Sequence, residues 1–105
     1  MKFSEYQERA MALRLLTATP QYAQLNLAGE VGELLGVIAK GVRDGVVDQQ
    51  EFDQKILKEG GDVLWQLAAV LEDFGFTLSD AATYNLVKLE SRRDRGKLQG
   101  SGDDR

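Results

Sequence analysis

Four acids at short, repeated spacings are the residues of this chain best suited to chemistry: Glu30 and Glu33, three apart, and Glu59 and Asp62, again three apart. Neighbours at that spacing project from one face of a helix, so each pair can share an ion. Glu30 falls in the apolar series Leu27, Glu30, Leu34, Val37, and Glu59 in the series Phe52, Ile56, Glu59, Val63. Acids therefore occupy positions where stability alone would place Leu, which is costly unless the carboxylate is paired or binds a metal. The 105 residues include no Cys and no His. This excludes disulfides, thiolate nucleophiles, Cys-ligated zinc and Ser-His-Asp catalysis, and it removes the commonest metal ligand. An all-oxygen donor set suits Mg²⁺ or Mn²⁺. Mg²⁺ usually shares its carboxylates with substrate phosphates, so the set points to a phosphorylated substrate. The competing reading pairs these acids with Lys40, Arg43, Lys55 or Lys58 on a solvated face.

The elements that must position the acids are helices. Pro occurs once, and apolar residues recur at spacings of three and four, the helical period, which predicts an all-α fold of four helices. Ser4 with Gln7 has the capping-box spacing and predicts a first helix from Ser4 to about Thr17, with Tyr6, Ala10, Leu13 and Leu16 inward. Thr19 and Pro20 open a second helix that Asp44-Gly45 stops after about Arg43. Asp48 with Glu51 opens a third, carrying Phe52, Ile56, Val63, Leu67, Val70 and Phe74 and ending at Gly75. Thr77 with Asp80 opens a fourth, through Tyr84, Leu86 and Leu89 to about Arg95. Residues 1–98 read as one domain and residues 99–105 as a flexible tail.

Register gives an independent check on the site. A short connection makes the second and third helices antiparallel neighbours. The midpoint of Glu33 and Glu59 is position 46, and so is that of Glu30 and Asp62. Folding the hairpin therefore brings all four acids to one level, on the order of 20 Å from the turn. Six glycines lie in these helices (Gly29, Gly32, Gly36, Gly41, Gly60, Gly61), each costing about 1 kcal/mol relative to Ala. They provide either close helix packing or room beside the carboxylates.

Thirteen basic against seventeen acidic residues give a net charge of −4, which argues against a grip on a nucleic-acid polymer. No apolar stretch approaches a membrane span, and the N-terminus MKFSEYQER has no signal-peptide character, so a cytoplasmic protein without membrane contact is expected. A chain this short leaves apolar helix faces for a second copy to cover, so an oligomer is expected.

Three segments together resemble a known family: Leu27-Ala28-Gly29-Glu30-Val31-Gly32-Glu33-Leu34, then Lys58-Glu59-Gly60-Gly61-Asp62-Val63-Leu64-Trp65, then Asn85-Leu86-Val87-Lys88-Leu89. The ordered combination E-x-x-E, spacer, E-x-x-D is similar to the signature of the MazG-like all-α nucleoside triphosphate pyrophosphohydrolases. The resemblance spans about Tyr22 to the C-terminus and implies a helical bundle assembled as a homodimer or homotetramer. It implies Mg²⁺-dependent cleavage of an NTP or dNTP between the α and β phosphates, giving the monophosphate and pyrophosphate. Carried over by position, Glu30, Glu33, Glu59 and Asp62 are the metal ligands, and one of them orients or deprotonates the attacking water. A non-catalytic helical module that binds metal or nucleotide is the rival reading.

Asn85, Lys88 and Arg92 form one stripe on the fourth helix and can present an amide and two cations to a polyphosphate; Asn85 and Lys88 also match the family's N-x-x-K. The two cations equally suit a solvated face near a helix C-terminus. Lys40, seven residues after Glu33, is either a phosphate contact or an ion-pair partner. Asn26 is a candidate amide reader of the base. Trp65 and Tyr22 are either a base stack or core.

Overall fold

Four helices and no strand make up the computed structural model, which describes residues 1–105: α1 (Phe3–Met11), α2 (Pro20–Asp44), α3 (Gln49–Asp73) and α4 (Leu78–Asp94). The long helices begin where their caps predict. Thr19 Oγ1 accepts from the Tyr22 N–H at 3.2 Å with Pro20 in the first turn, and Asp48 Oδ1 accepts from the Glu51 N–H at 3.2 Å. Thr77 and Asp80 form a reciprocal capping box, with bonds of 3.0 and 2.9 Å. Each cap satisfies a first-turn N–H that would otherwise lack a partner. Gly45 ends α2 and Gly75 follows α3, with φ of +81° and +82° that favour glycine.

α1 departs from expectation at both ends. Its N-cap is Lys2, with no side-chain cap, and it stops at Met11. Gln7 does not turn back to Ser4. Its Oε1 accepts from the Leu78 N–H at 2.7 Å and its Nε2 donates to the Phe76 carbonyl at 3.3 Å, tying α1 to the start of α4. Past Met11 the chain is pinned elsewhere: Arg14 holds Asp73 at the end of α3 through two bonds of 2.8 and 2.9 Å and donates to the Ala18 carbonyl. Leu13 and Leu16, expected inward, are consequently exposed, Leu16 completely at 101%. Phe74, Tyr84 and Leu86 also lie exposed rather than inward.

Gln7→Leu strands the Leu78 N–H in a buried place and should cost about 1–3 kcal/mol by chemical denaturation. Asp73→Asn should cost a similar amount at neutral pH, because charge-assisted paired bonds are lost. The hydrogen bond from Arg14 holds the Asp73 carboxyl below its ordinary value. Its stabilisation is thus complete above the usual aspartate range and drains away as pH falls through the lowered native value. The gap between wild type and Asp73→Asn should close progressively below about pH 4.

α2 and α3 form a long antiparallel hairpin. α1 and α4 pack against α3 and against each other, and neither packs on α2. The buried core is small: Ala10, Ala23, Ala68, Ala69 and Leu78, with no large side chain wholly enclosed. The radius of gyration, 16.8 Å, exceeds the ~13 Å of a compact chain this long. Leu25, Leu35 and Val42 on α2, and Tyr84, Leu86 and Val87 on α4, are exposed. No helix is long and apolar enough to cross a membrane.

Candidate metal centre

The hairpin brings Glu30 and Glu33 of α2 to Glu59 of α3, with one carboxylate oxygen from each lying within 4.8 Å of the others. Asp62 stands outside that triplet, yet its charge reaches both Glu30 and the half-buried Tyr6 of α1, whose pKa is raised by burial first and by Asp62 second. Tyr6 was expected as a core residue, and only the long-range docking of α1 places it beside an acid. Burial first, then the charges of Glu33, Asp62 and Glu59, hold the Glu30 carboxyl above the ordinary glutamate value. The Asn26 Nδ2 opposes this by donating to Glu30 Oε1 at 3.4 Å.

The residues present fit a hard divalent cation. Glu30 Oε2 and Glu59 Oε2 are buried and have no hydrogen-bond partner, an arrangement that costs free energy in the absence of a cation. Opposed oxygen ligands of Mg²⁺ or Ca²⁺ lie about 4–5 Å apart, comparable to the spread of the triplet. No cationic side chain forms an ion pair with Glu30, Glu33, Glu59 or Asp62, so the pairing with Lys40, Arg43, Lys55 or Lys58 is absent; Glu33 itself is exposed, while Glu30, Glu59 and Asp62 are half-buried. Lys40 lines a groove near the α2–α3 turn that Glu59 also lines.

The helical glycines divide. A Cβ at Gly41 would come within 3.0 Å of the Phe52 ring, which is close packing. At Gly32, Gly36, Gly60 and Gly61 a Cβ would meet open space, and at Gly29 only Asn26 Oδ1 at 3.7 Å. Close packing within the chain therefore explains one of the six.

None of the remaining candidates forms a hydrogen bond with the four acids. Trp65 donates its indole N–H to the Ala10 carbonyl at 3.1 Å and so fastens α1 to α3. Tyr22 is exposed near the start of α2. Asn85 is exposed on α4, which does not pack on α2. Lys88 and Arg92 lie on α4 too, and both hold Asp103, whose carboxylate is 3.4 Å from each cation. Arg92 is 4% exposed and also donates to the Asp103 carbonyl. The two cations pull the Asp103 carboxyl below its ordinary value. Residues 99–105, expected as a flexible tail, fold back here, with the Arg105 guanidinium donating to the Lys97 and Leu98 carbonyls at 3.0 and 2.9 Å. Asp103 as partner of the α4 cations was missed. Its signal was an acid in a glycine-rich segment directly after a basic helix end.

With this geometry in place, comparison with known proteins gives three findings. Residues 18–96 match the MazG nucleotide pyrophosphohydrolase domain. The chain is 42% identical over 86 residues to the Gene 37 protein of Mycobacterium phage L5, covering 80% of this chain and 75% of that relative. No solved structure matches it.

Proposed function

From membership of the MazG nucleotide pyrophosphohydrolase family, to which this chain belongs, we propose that it hydrolyses an NTP or dNTP between the α and β phosphates in a Mg²⁺-dependent reaction. The products are the nucleoside monophosphate and pyrophosphate, and the role is control or cleansing of a cytoplasmic nucleotide pool. One observation carries the reading beyond the family: three carboxylates converge within 4.8 Å, and two of them have a buried oxygen without a partner.

Glu30, Glu33, Glu59 and Asp62 would hold Mg²⁺, with Mn²⁺ as an alternative. When bound, the cation supplies charge neutralisation on the phosphates and acidifies a bound water. The chain's own groups do the rest. Asn26 holds Glu30 by its amide, and one carboxylate of the cluster would take the proton of the attacking water. Asn85, Lys88 and Arg92, which lie on a helix that does not pack on α2 of its own chain, would serve the polyphosphate from a second copy in the oligomer. The anion their cations already hold, the Asp103 carboxylate, is the group a phosphate would replace. Lys40, in the groove beside Glu59, adds a further cation.

We further propose that the working form is a homodimer or homotetramer. The radius of gyration, the alanine-sized core and the exposed apolar faces of α2 and α4 support it, since a monomer this open buries too little to be stable alone. The test of function is a panel of NTPs and dNTPs assayed for pyrophosphate with Mg²⁺, Mn²⁺ or EDTA. Metal-dependent release supports the enzyme. Nucleotide binding without turnover of any substrate would leave the non-catalytic binding module.

A further inference from the structure

Three polar side chains are buried in this protein: Gln7, Gln66 and Arg92. Two of them are accounted for. Gln7 spends both ends of its carboxamide on the start of α4, and Arg92 is spent on Asp103. Gln66 is different. It is only 7% exposed, and its Oε1 is enclosed without any hydrogen-bond partner. A buried acceptor left unmatched is a standing cost, and few native groups carry it without a reason. An apolar residue at this position would remove the cost.

The place of Gln66 supplies the reason. It follows Glu59 by seven residues, so the two side chains leave α3 within about 20° of one another around its axis. It lies one turn beyond Asp62, on the side away from the α2–α3 connection. Across the hairpin its register partner is Asn26, because the midpoint of Asn26 and Gln66 is position 46, as it is for Glu30 and Asp62. Asn26 donates to Glu30 Oε1 at 3.4 Å. A layer of two carboxamides therefore lies directly beside the layer of acids. At this level Trp65 fastens α1 onto α3 through the Ala10 carbonyl, so α1 borders the same region. Polar amides follow the carboxylates where the core would otherwise close with apolar side chains.

We infer that Gln66 is a specificity-determining residue whose carboxamide hydrogen-bonds the edge of the nucleobase while the acids handle the phosphates. This rests on the proposed nucleotide substrate and extends it to recognition of the base. The chemistry suits the occupant. A heterocyclic base presents a donor and an acceptor side by side, which a carboxamide can meet with both of its groups. The N–H of a base satisfies the stranded Oε1, which a phosphate oxygen, being an acceptor, cannot do. A site whose buried polar group needs its partner discriminates strongly against ligands that lack one.

The test is equilibrium binding with Mg²⁺ present, comparing wild type with Gln66→Met, a substitution of similar length and volume. The probes are the nonhydrolysable α,β-imido analogues of the four dNTPs, an abasic deoxyribose triphosphate and inorganic tripolyphosphate. Wild type should prefer at least one base-bearing analogue to both base-free probes. Gln66→Met should weaken that analogue by about tenfold or more and leave both base-free probes within about twofold. Its Tm without ligand should equal or exceed that of wild type, because the unmatched acceptor is gone. Equal losses for base-bearing and base-free probes would overturn the inference, as would an unchanged preference among bases or wild-type indifference to the base. A loss confined to the two probes that carry a sugar, equal in both, would place Gln66 at the sugar and overturn it too. Binding is read without turnover, so absence of pyrophosphate from wild type would defeat the proposed reaction and leave this result standing.

Discussion

Glu59→Gln is expected to lower pyrophosphate release by more than about a hundredfold while leaving the protein folded. Loss of an outer-sphere partner of a metal site already costs roughly 10- to 100-fold, and Glu59 belongs to the converging triplet itself. The substitution keeps size and shape but exchanges an anionic ligand for a neutral amide. Its effect on folding should run the other way. Glu59 Oε2 is buried with no partner, and the Glu59 charge helps to raise the Glu30 pKa. Removing that charge relieves repulsion, so without metal the variant should melt at the wild-type temperature or above. Turnover near the wild-type rate in a folded variant would refute the assignment of Glu59. A variant that loses both fold and activity would refute the claim that this acid sits against the interest of stability.

The second large effect is on stability itself. Mg²⁺ at a hundred times its dissociation constant should stabilise the native state by ~2.7 kcal/mol. For a domain of this size that corresponds to a rise in Tm on the order of 10 °C. The cause is the same geometry: acids held near one another, two of them with a buried oxygen that no protein donor reaches. The rise should be absent with Na⁺ at matched ionic strength, reversed by EDTA, and much reduced in Glu59→Gln. An equal response to Mg²⁺ and Na⁺ would mean that the acids only feel ionic strength.

What could be read in the sequence was what is decided locally. Thr19, Asp48 and Thr77 announced their helices because a cap and the N–H it satisfies lie within three residues of each other. The meeting of Glu30, Glu33 and Glu59 was legible as well, because a short connection fixes the register of two antiparallel helices. α1 was not legible. Ser4 and Gln7 have the spacing of a capping box, but partners 69 and 71 residues away claim the Gln7 carboxamide. Arg14, beyond the end of α1 at Met11, reaches Asp73 across 59 residues, and in this non-helical stretch Leu13 and Leu16 are exposed. Nor does the short connection before α4 say which neighbour that helix chooses. It packs on α1 and α3, and Asn85, Lys88 and Arg92 form no hydrogen bond with the acids of the same chain. The tail escaped for a backbone reason: its course depends on Gly96, Gly100 and Gly102 at positive φ, and only that course delivers Asp103 to Lys88 and Arg92.

Cleavage between the α and β phosphates at the carboxylate cluster can be followed by ³¹P nuclear magnetic resonance of the complete reaction. With Mg²⁺ and the preferred dNTP, the triphosphate signals should give way to those of a monophosphate and pyrophosphate, with no change in EDTA. Appearance of a nucleoside diphosphate and orthophosphate instead, or an identical course in EDTA, would contradict it.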